Sequence, residues 1–271
     1  MRGNMDMMAV EPGDPIQYQL PLGEHRLHLN PYLGKELHFR YSGEIFCCNC
    51  GRKTKKSFNQ GYCFPCFRKL AECDACILRP EQCHFHLGTC RDDDFAANHC
   101  FRPHYVYVAN SSGLKVGITR EVNLPTRWID QGASQALPIL KVANRRMSGL
   151  LEVEIKNHMS DKTNWRALLQ GEPEPLDLCA IRDELMPKLQ AKMEAMRHQF
   201  PGELLEEVEA SGPETFQYPI LEYPKKISSF NLDKDPDFGG TLIGIKGQYL
   251  LFDTGVINIR KYTSYFVEYA V

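Results

Sequence analysis

Ten of the eleven cysteines in this 271-residue chain fall between Cys47 and Cys100, and only Cys179 lies elsewhere. Such crowding restricts what the segment can become. Disulfides belong to oxidising compartments. The N-terminus, MRGNMDMMAVEPGDP, lacks the continuous apolar core of a secretory signal. No apolar run approaches the ~20 residues that cross a bilayer. A cytoplasmic setting without membrane contact is therefore expected, and there clustered thiols point to metal. Hydrophobic content of 43% and charged content of 24% suit a globular chain of two or three small domains.

Spacing sharpens the metal reading. Cys47-x2-Cys50 is followed twelve residues later by Cys63-x2-Cys66. Each Cys-x2-Cys turn aims two thiolates at one ion, and two such turns complete the tetrahedral four-sulfur shell that zinc prefers. This half reads as a zinc ribbon. Cys48 lacks the two-residue spacing to Cys50, so Cys47 is the expected ligand. A second group follows: Cys73-x2-Cys76, Cys83, Cys90 and Cys100, with His84, His86 and His99 among them. It offers more donors than one zinc needs, and spacing does not choose between them. A second structural zinc is expected, with an iron–sulfur cluster as the alternative.

A net charge of −2 argues against a general polyanion binder, but the charge is uneven. Residues 51–70 carry Arg52, Lys53, Lys55, Lys56, Arg68 and Lys69 and no acid, whereas residues 201–214 carry five glutamates and no base. The cations of RKTKKSF suit phosphates and Phe58 offers a stacking face, although a solvated basic loop reads the same way.

The expected fold class is α+β with several domains. Residues 1–46 read as an N-terminal β segment, 47–100 as the cysteine module and 101–170 as a β-β-α-β-α unit. Residues 171–225 read as a linker and amphipathic helix, and 226–271 as a C-terminal β segment. In the central unit the strands are HYVYVAN and LKVGIT about a Ser-Ser-Gly turn, then a helix at 125–131, a strand at 137–143 and a helix capped by Ser148. Pro187 is expected to kink or split the helix at 177–198. GKELHFRYSGEI and GQYLLFDTGVI share a Gly, Leu, Phe, Gly, Ile order. The two terminal β segments are thus expected to pair, in a small barrel.

HYVYVANSSGLKVGITR, then PTRW and LEVEIKNH, resembles the core of the GIY-YIG nuclease superfamily. The resemblance implies a β-β-α-β-α core hydrolysing phosphodiesters in DNA or RNA with Mg²⁺ or Mn²⁺. Tyr107 would match the first-strand tyrosine and Lys115-Val116-Gly117 the second motif. Arg127 would match the helix arginine and Glu154 the metal-binding glutamate. His158 lies one turn beyond, and Asn164 matches a polar residue of some members. The pattern departs in three ways: Tyr-Val-Tyr lets Tyr105 compete with Tyr107, Lys115 replaces the second tyrosine, and Glu152 competes with Glu154.

Nearly the whole chain also resembles a family of bacterial proteins catalogued only as a domain of unknown function. The likeness rests on CGRKTKKSF, CHFHLGTC, SSGLKVGITR, PTRWIDQGASQALPI, DKTNWRALL and GIKGQYLLFDTGVINIRK. It implies no activity. Three readings follow: a metal-dependent endonuclease with a zinc module, a non-catalytic DNA or RNA binder, and an assembly factor for protein partners.

Overall fold

The computed structural model describes residues 1–159 and 164–270. Residues 161–163 of DKTNWRALL lie outside the described residues. The chain opens with β1 (Arg2–Asn4), β2 (Ala9–Glu11), β3 (Gln17–Leu22), β4 (His25–His28), β5 (Glu36–Phe46) and β6 (Lys53–Thr54). The cysteine module holds the short helices α1 (Phe64–Lys69), α2 (Ala75–Leu78) and α3 (Asp93–Phe95). The central unit is β7 (His104–Asn110), β8 (Leu114–Arg120), α4 (Thr126–Asp130), β9 (Gln135–Val142) and α5 (Arg145–Lys156). Next come α6 (Trp165–Leu168), α7 (Leu178–Gln199), β10 (Leu205–Glu207) and β11 (Glu214–Thr215). The chain closes with β12 (Asp237–Lys246), β13 (Tyr249–Phe252), β14 (Val256–Asn258) and β15 (Tyr265–Ala270).

The two ends of the chain share one sheet, in the order β1-β15-β5-β12-β13-β14, with β6 added to β5 and β2-β3-β4 forming a separate meander. Their apolar faces merge into one core that includes Leu20, Leu29, Phe39, Leu250, Ile259 and Val267. A two-fold internal repeat organises it. Each half is a three-strand meander, a 3-10 turn (Asn30–Tyr32 or Ile259–Tyr262) and a long strand, β5 or β15. Leu27 and Ile257, Leu29 and Ile259, Tyr32 and Tyr262, and Leu37 and Val267 occupy matching places. Gly34 and Ser264 match too, with φ of 76° and 78° at the same corner. Where β5 meets β15, Phe39 pairs with its own counterpart Tyr269, flanked by Arg40↔Glu268 and His38↔Ala270.

This corrects two sequence expectations. The counterpart of Gly34 is Ser264, not Gly247, because residues 36–46 form one strand while 247–257 form a hairpin. The terminal segments do pair, but into an open sheet rather than a closed barrel. The outer edge of β14 is occupied by residues 228–230, with the Val256 amide donating to the Ser228 carbonyl and Phe230 to Val256.

The central unit follows the expected β-β-α-β-α order, with its strands in the order β10-β9-β7-β8. Val106, Val108 and Val116 face α5 and α7, while Tyr107 and Ala109 face Trp128 of α4. Pro138 has no N–H to offer β7, and the ladder shifts register there, between Val106 and Tyr107. The N-cap of α5 is Asn144, whose side chain accepts from the Met147 amide at 3.1 Å, so the helix starts one turn before Ser148. The α7 helix runs unbroken through Pro187, held by Leu185, Met186 and Leu189 buried on either side. No helix among the described residues is long and apolar enough to cross a membrane.

Candidate metal centre and anion cleft

The Sγ atoms of Cys47, Cys50, Cys63 and Cys66 all lie within 4.8 Å of one another, a cluster that can hold a zinc ion. The first pair comes from a tight turn in which Gly51 takes φ of 67° and donates its amide to the Cys47 carbonyl at 2.9 Å. The second pair opens α1, with Cys63 just before the helix. Cys47 and Cys63 are buried while Cys50 is exposed. Burial alone would raise the Cys47 thiol, but amides from Cys50, Cys63 and Asn49 outweigh it and bring its pKa down to about 6. Cys48 stands apart against Gly61, where burial pushes it up to about 11.

The second cysteine group separates. Cys76, Cys83, Cys90 and Cys100 line one small cavity. Cys73 is buried elsewhere, its sulfur receiving the Asn59 amide at 3.5 Å. His84 also lies with Asp74 and Cys76 in a second group whose ligand atoms all fall within 4.8 Å of one another. His84 meets the Thr89 hydroxyl at 2.8 Å, His86 meets Arg146 at 3.3 Å and His99 stacks on Phe95 at 4.2 Å.

Beside this module opens a cleft of about 340 Å³ lined by Arg120, Arg127, Arg145, Arg260 and Glu152, with Thr119 at its wall. Four elements bring the arginines together: β8, α4, α5 and the turn before β15. Arg260 also donates to Gln60 of the cysteine module at 2.7 Å. Burial, opposed by Cys100 and Cys76 and reinforced by Arg127 and Arg120, pulls the Arg145 pKa down. Burial and Arg127 do the same to Arg260. Like charges held half-buried at close quarters favour an anion between them.

Tyr107 is fully buried behind the cleft and donates to Gln131 at 2.8 Å. Its ring lies across Gly117, where a Cβ would approach it to 2.5 Å, so the glycine of this motif makes room for the tyrosine opposite. Burial raises the Tyr107 phenol, against the nearby Arg127 guanidinium. Lys115 lies two residues before Gly117 on the same strand face and is also buried. Tyr105 lies two residues before Tyr107 on the same strand face, nearer the start of β7, bonding Glu121 at 3.2 Å.

Glu154 does not line the cleft. It faces His158 at 4.0 Å, while Glu152 reaches the cleft and lies 3.5 Å from Lys156. Helical period explains the difference: Arg145, Gly149, Glu152 and Lys156 share one stripe of α5. At Gly149 a Cβ would meet Pro80 at 2.6 Å, so the cysteine module docks directly on that stripe. Asn164 serves as the N-cap of α6. In the basic loop Lys53 is paired with Glu44 at 2.7 Å, Lys56 lies 5.4 Å over Phe58, and Arg52 and Lys55 are exposed. Phe58 itself packs on Phe64 and Phe67.

His104, at the start of β7, is fully buried, and its Nδ1 donates to the Arg102 carbonyl at 2.7 Å. Burial drives its pKa down to about 4 against that hydrogen bond, helped by Arg145 and Arg120. The folded chain therefore keeps it neutral, while the unfolded chain takes up a proton below a pH of about 6.5. Its contribution is intact above that pH and shrinks as pH falls toward 4, by ~3 kcal/mol in all. Urea titrations across this window should show a steeper loss for wild type than for His104→Gln. Parallel curves would contradict the assignment.

The family model DUF2797, described as a protein of unknown function, matches residues 34–267 of this chain, and the chain belongs to that family. No curated protein and no solved structure matches it.

Proposed function

We propose that this member of the DUF2797 family is a divalent-metal-dependent phosphodiester endonuclease with a GIY-YIG-like unit and a zinc ribbon, acting on DNA or RNA in the arginine-lined cleft. The observation that carries the proposal is that Arg120, Arg127, Arg145, Arg260 and Glu152 line one cleft, at the end of the strand β8 whose Gly117 pairs with Tyr107. Planar guanidinium forks match phosphate oxygens in pairs. Arg127 is best placed to clamp the scissile phosphate, because Tyr107 and Gln131 support the space beside it. Tyr107, being buried, positions this wall rather than meeting solvent.

A largely buried carboxylate at the cleft fits Mg²⁺ or Mn²⁺, which take one or two carboxylates and fill the remaining positions with water and substrate phosphate. When bound, such an ion supplies Lewis-acid polarisation of the phosphate. Glu152 takes this role in place of Glu154. Arg52 and Lys55 extend the cationic surface for flanking phosphates.

A second reading, a non-catalytic nucleic-acid binder, is favoured by the Lys156 ammonium 3.5 Å from Glu152, which competes with a metal for the carboxylate. A panel of single- and double-stranded DNA and RNA with Mg²⁺ or Mn²⁺ separates the two. The nuclease reading expects metal-dependent cleavage and a ~100-fold lower kcat for Arg127→Ala. Salt-sensitive binding without cleavage supports the binder. Neither activity would overturn both and leave a protein partner.

A further inference from the structure

We propose that Asp74, Cys76 and His84 bind a second zinc ion, at a mixed oxygen, sulfur and nitrogen site that fastens the loop 74–84 against the anion cleft. One ligand atom from each residue lies within 4.8 Å of those of the other two. Zinc accepts all three donor types, at ~2.0–2.3 Å from each. Knuckle spacing would pair Cys76 with Cys73, but the Cys73 sulfur receives the Asn59 amide instead.

Thr89 fixes which imidazole nitrogen faces the site. Its hydroxyl donates to the His84 carbonyl at 3.2 Å, so its oxygen is left to accept the Nδ1 proton at 2.8 Å. That leaves Nε2 bare and 3.4 Å from Asp74 Oδ1. A bare imidazole nitrogen and a carboxylate oxygen are both acceptors. They repel at this distance unless a cation joins them, and the Cys76 sulfur beside them suits a metal rather than a proton. A partner on the second ring nitrogen is the usual support of a metal-bound histidine. The carboxylate is supported likewise. Arg91 Nε meets Oδ2 at 2.6 Å, which leaves Oδ1 for the ion, and the Cys76 amide holds Oδ1 at 3.2 Å.

The three residues line a cavity of about 20 Å³, room for one ion. Cys83, Cys90 and Cys100 belong to the same lining, which supplies a thiolate for the fourth tetrahedral position.

The ligands bracket the chain that walls the anion cleft. Ile77, Leu78 and Pro80 lie between Cys76 and His84 and line that cleft with its arginines. The Ile77 carbonyl accepts from Arg145 at 2.5 Å, and Pro80 packs where Gly149 leaves room on α5. An ion joining Asp74 and Cys76 to His84 ties the two ends of this loop together. The wall of the cleft then depends on the metal, whatever the cleft binds.

The test is elemental analysis of full-length protein loaded with zinc and freed of excess by gel filtration, with hydrogen–deuterium exchange of residues 74–84. The proposal expects about two zincs per chain in wild type, one at the Cys47 knot and one here. Cys76→Ala and His84→Ala should each lose one zinc, with faster exchange in residues 74–84 and unchanged exchange in residues 47–66. Cys73→Ala should keep both zincs. One zinc per chain in wild type overturns the proposal even where a variant fails to fold, as does a His84→Ala protein that keeps both.

Discussion

Cys63→Ser is expected to release the zinc and unfold the segment around it. Cys63 is a buried member of the four-thiol knot at the N-cap of α1, a position serine tolerates, so its replacement removes a ligand while leaving the helix start in place. Structural zinc contributes ~10–16 kcal/mol to small domains that fold around it. The aromatic contacts of the segment are those of Phe58 with Phe64 and Phe67. Elemental analysis should find about one zinc fewer per chain than in wild type. Limited proteolysis should open the chain between residues 47 and 70. The same zinc content in Cys63→Ser as in wild type would remove this cysteine from the ligand set. Cys48→Ser serves as the matched control and should keep the metal.

Glu172→Ala is expected to destabilise the chain by ~3–5 kcal/mol, although Lys246→Met should be much milder. The Lys246 side chain is completely buried at the end of β12, and its ammonium meets Glu172 at 3.1 Å and the Tyr223 hydroxyl at 3.1 Å. Tyr218 and Tyr223 place their rings 5.5 and 5.2 Å from it. Removing the carboxylate leaves a buried charge uncompensated, whereas replacing the lysine removes the charge and keeps most of the volume. Burial already lowers the Lys246 pKa, opposed by Glu172. Without Glu172 the folded value drops further below the unfolded one. The unfolded chain then binds more protons in that window, so stability rises with pH and the deficit shrinks in alkali. Urea unfolding followed by the emission of Trp165, stacked on Tyr249 of β13, reports this region. Equal losses for Glu172→Ala and Lys246→Met would show that packing, not charge, dominates.

The central unit was legible because its signals are local. Alternation and the Ser-Ser-Gly turn placed β7 and β8 nearly to the residue, and the Cys-x2-Cys pairs located the knot. What escaped depended on contacts across the chain. The Asn144 cap could have been found, since asparagine before an apolar helical pattern is a known start signal. With that start, helical period puts Glu152 on the stripe with Arg145 and Gly149, and Glu154 on another face. Arg260 could not have been found. It lies far along the chain and reaches the cleft only because the terminal sheet brings the turn before β15 alongside the cysteine module. The internal repeat was glimpsed in the wrong register. Its two halves agree at buried positions such as Leu29 and Ile259 while their surfaces differ, so the shared letters misled. The second cysteine group resisted for a related reason: Cys73-x2-Cys76 has a knuckle's spacing, yet packing sends its first thiol to Asn59 and its second to the cavity.

The cleft's chemistry is tested most directly by comparing Glu152→Gln with Glu154→Gln on whichever nucleic acid wild type cleaves, at saturating Mg²⁺ or Mn²⁺. The account predicts that Glu152→Gln loses cleavage while still binding substrate with the wild-type salt dependence, and that Glu154→Gln stays close to wild type. Full activity in Glu152→Gln, or loss confined to Glu154→Gln, would contradict it.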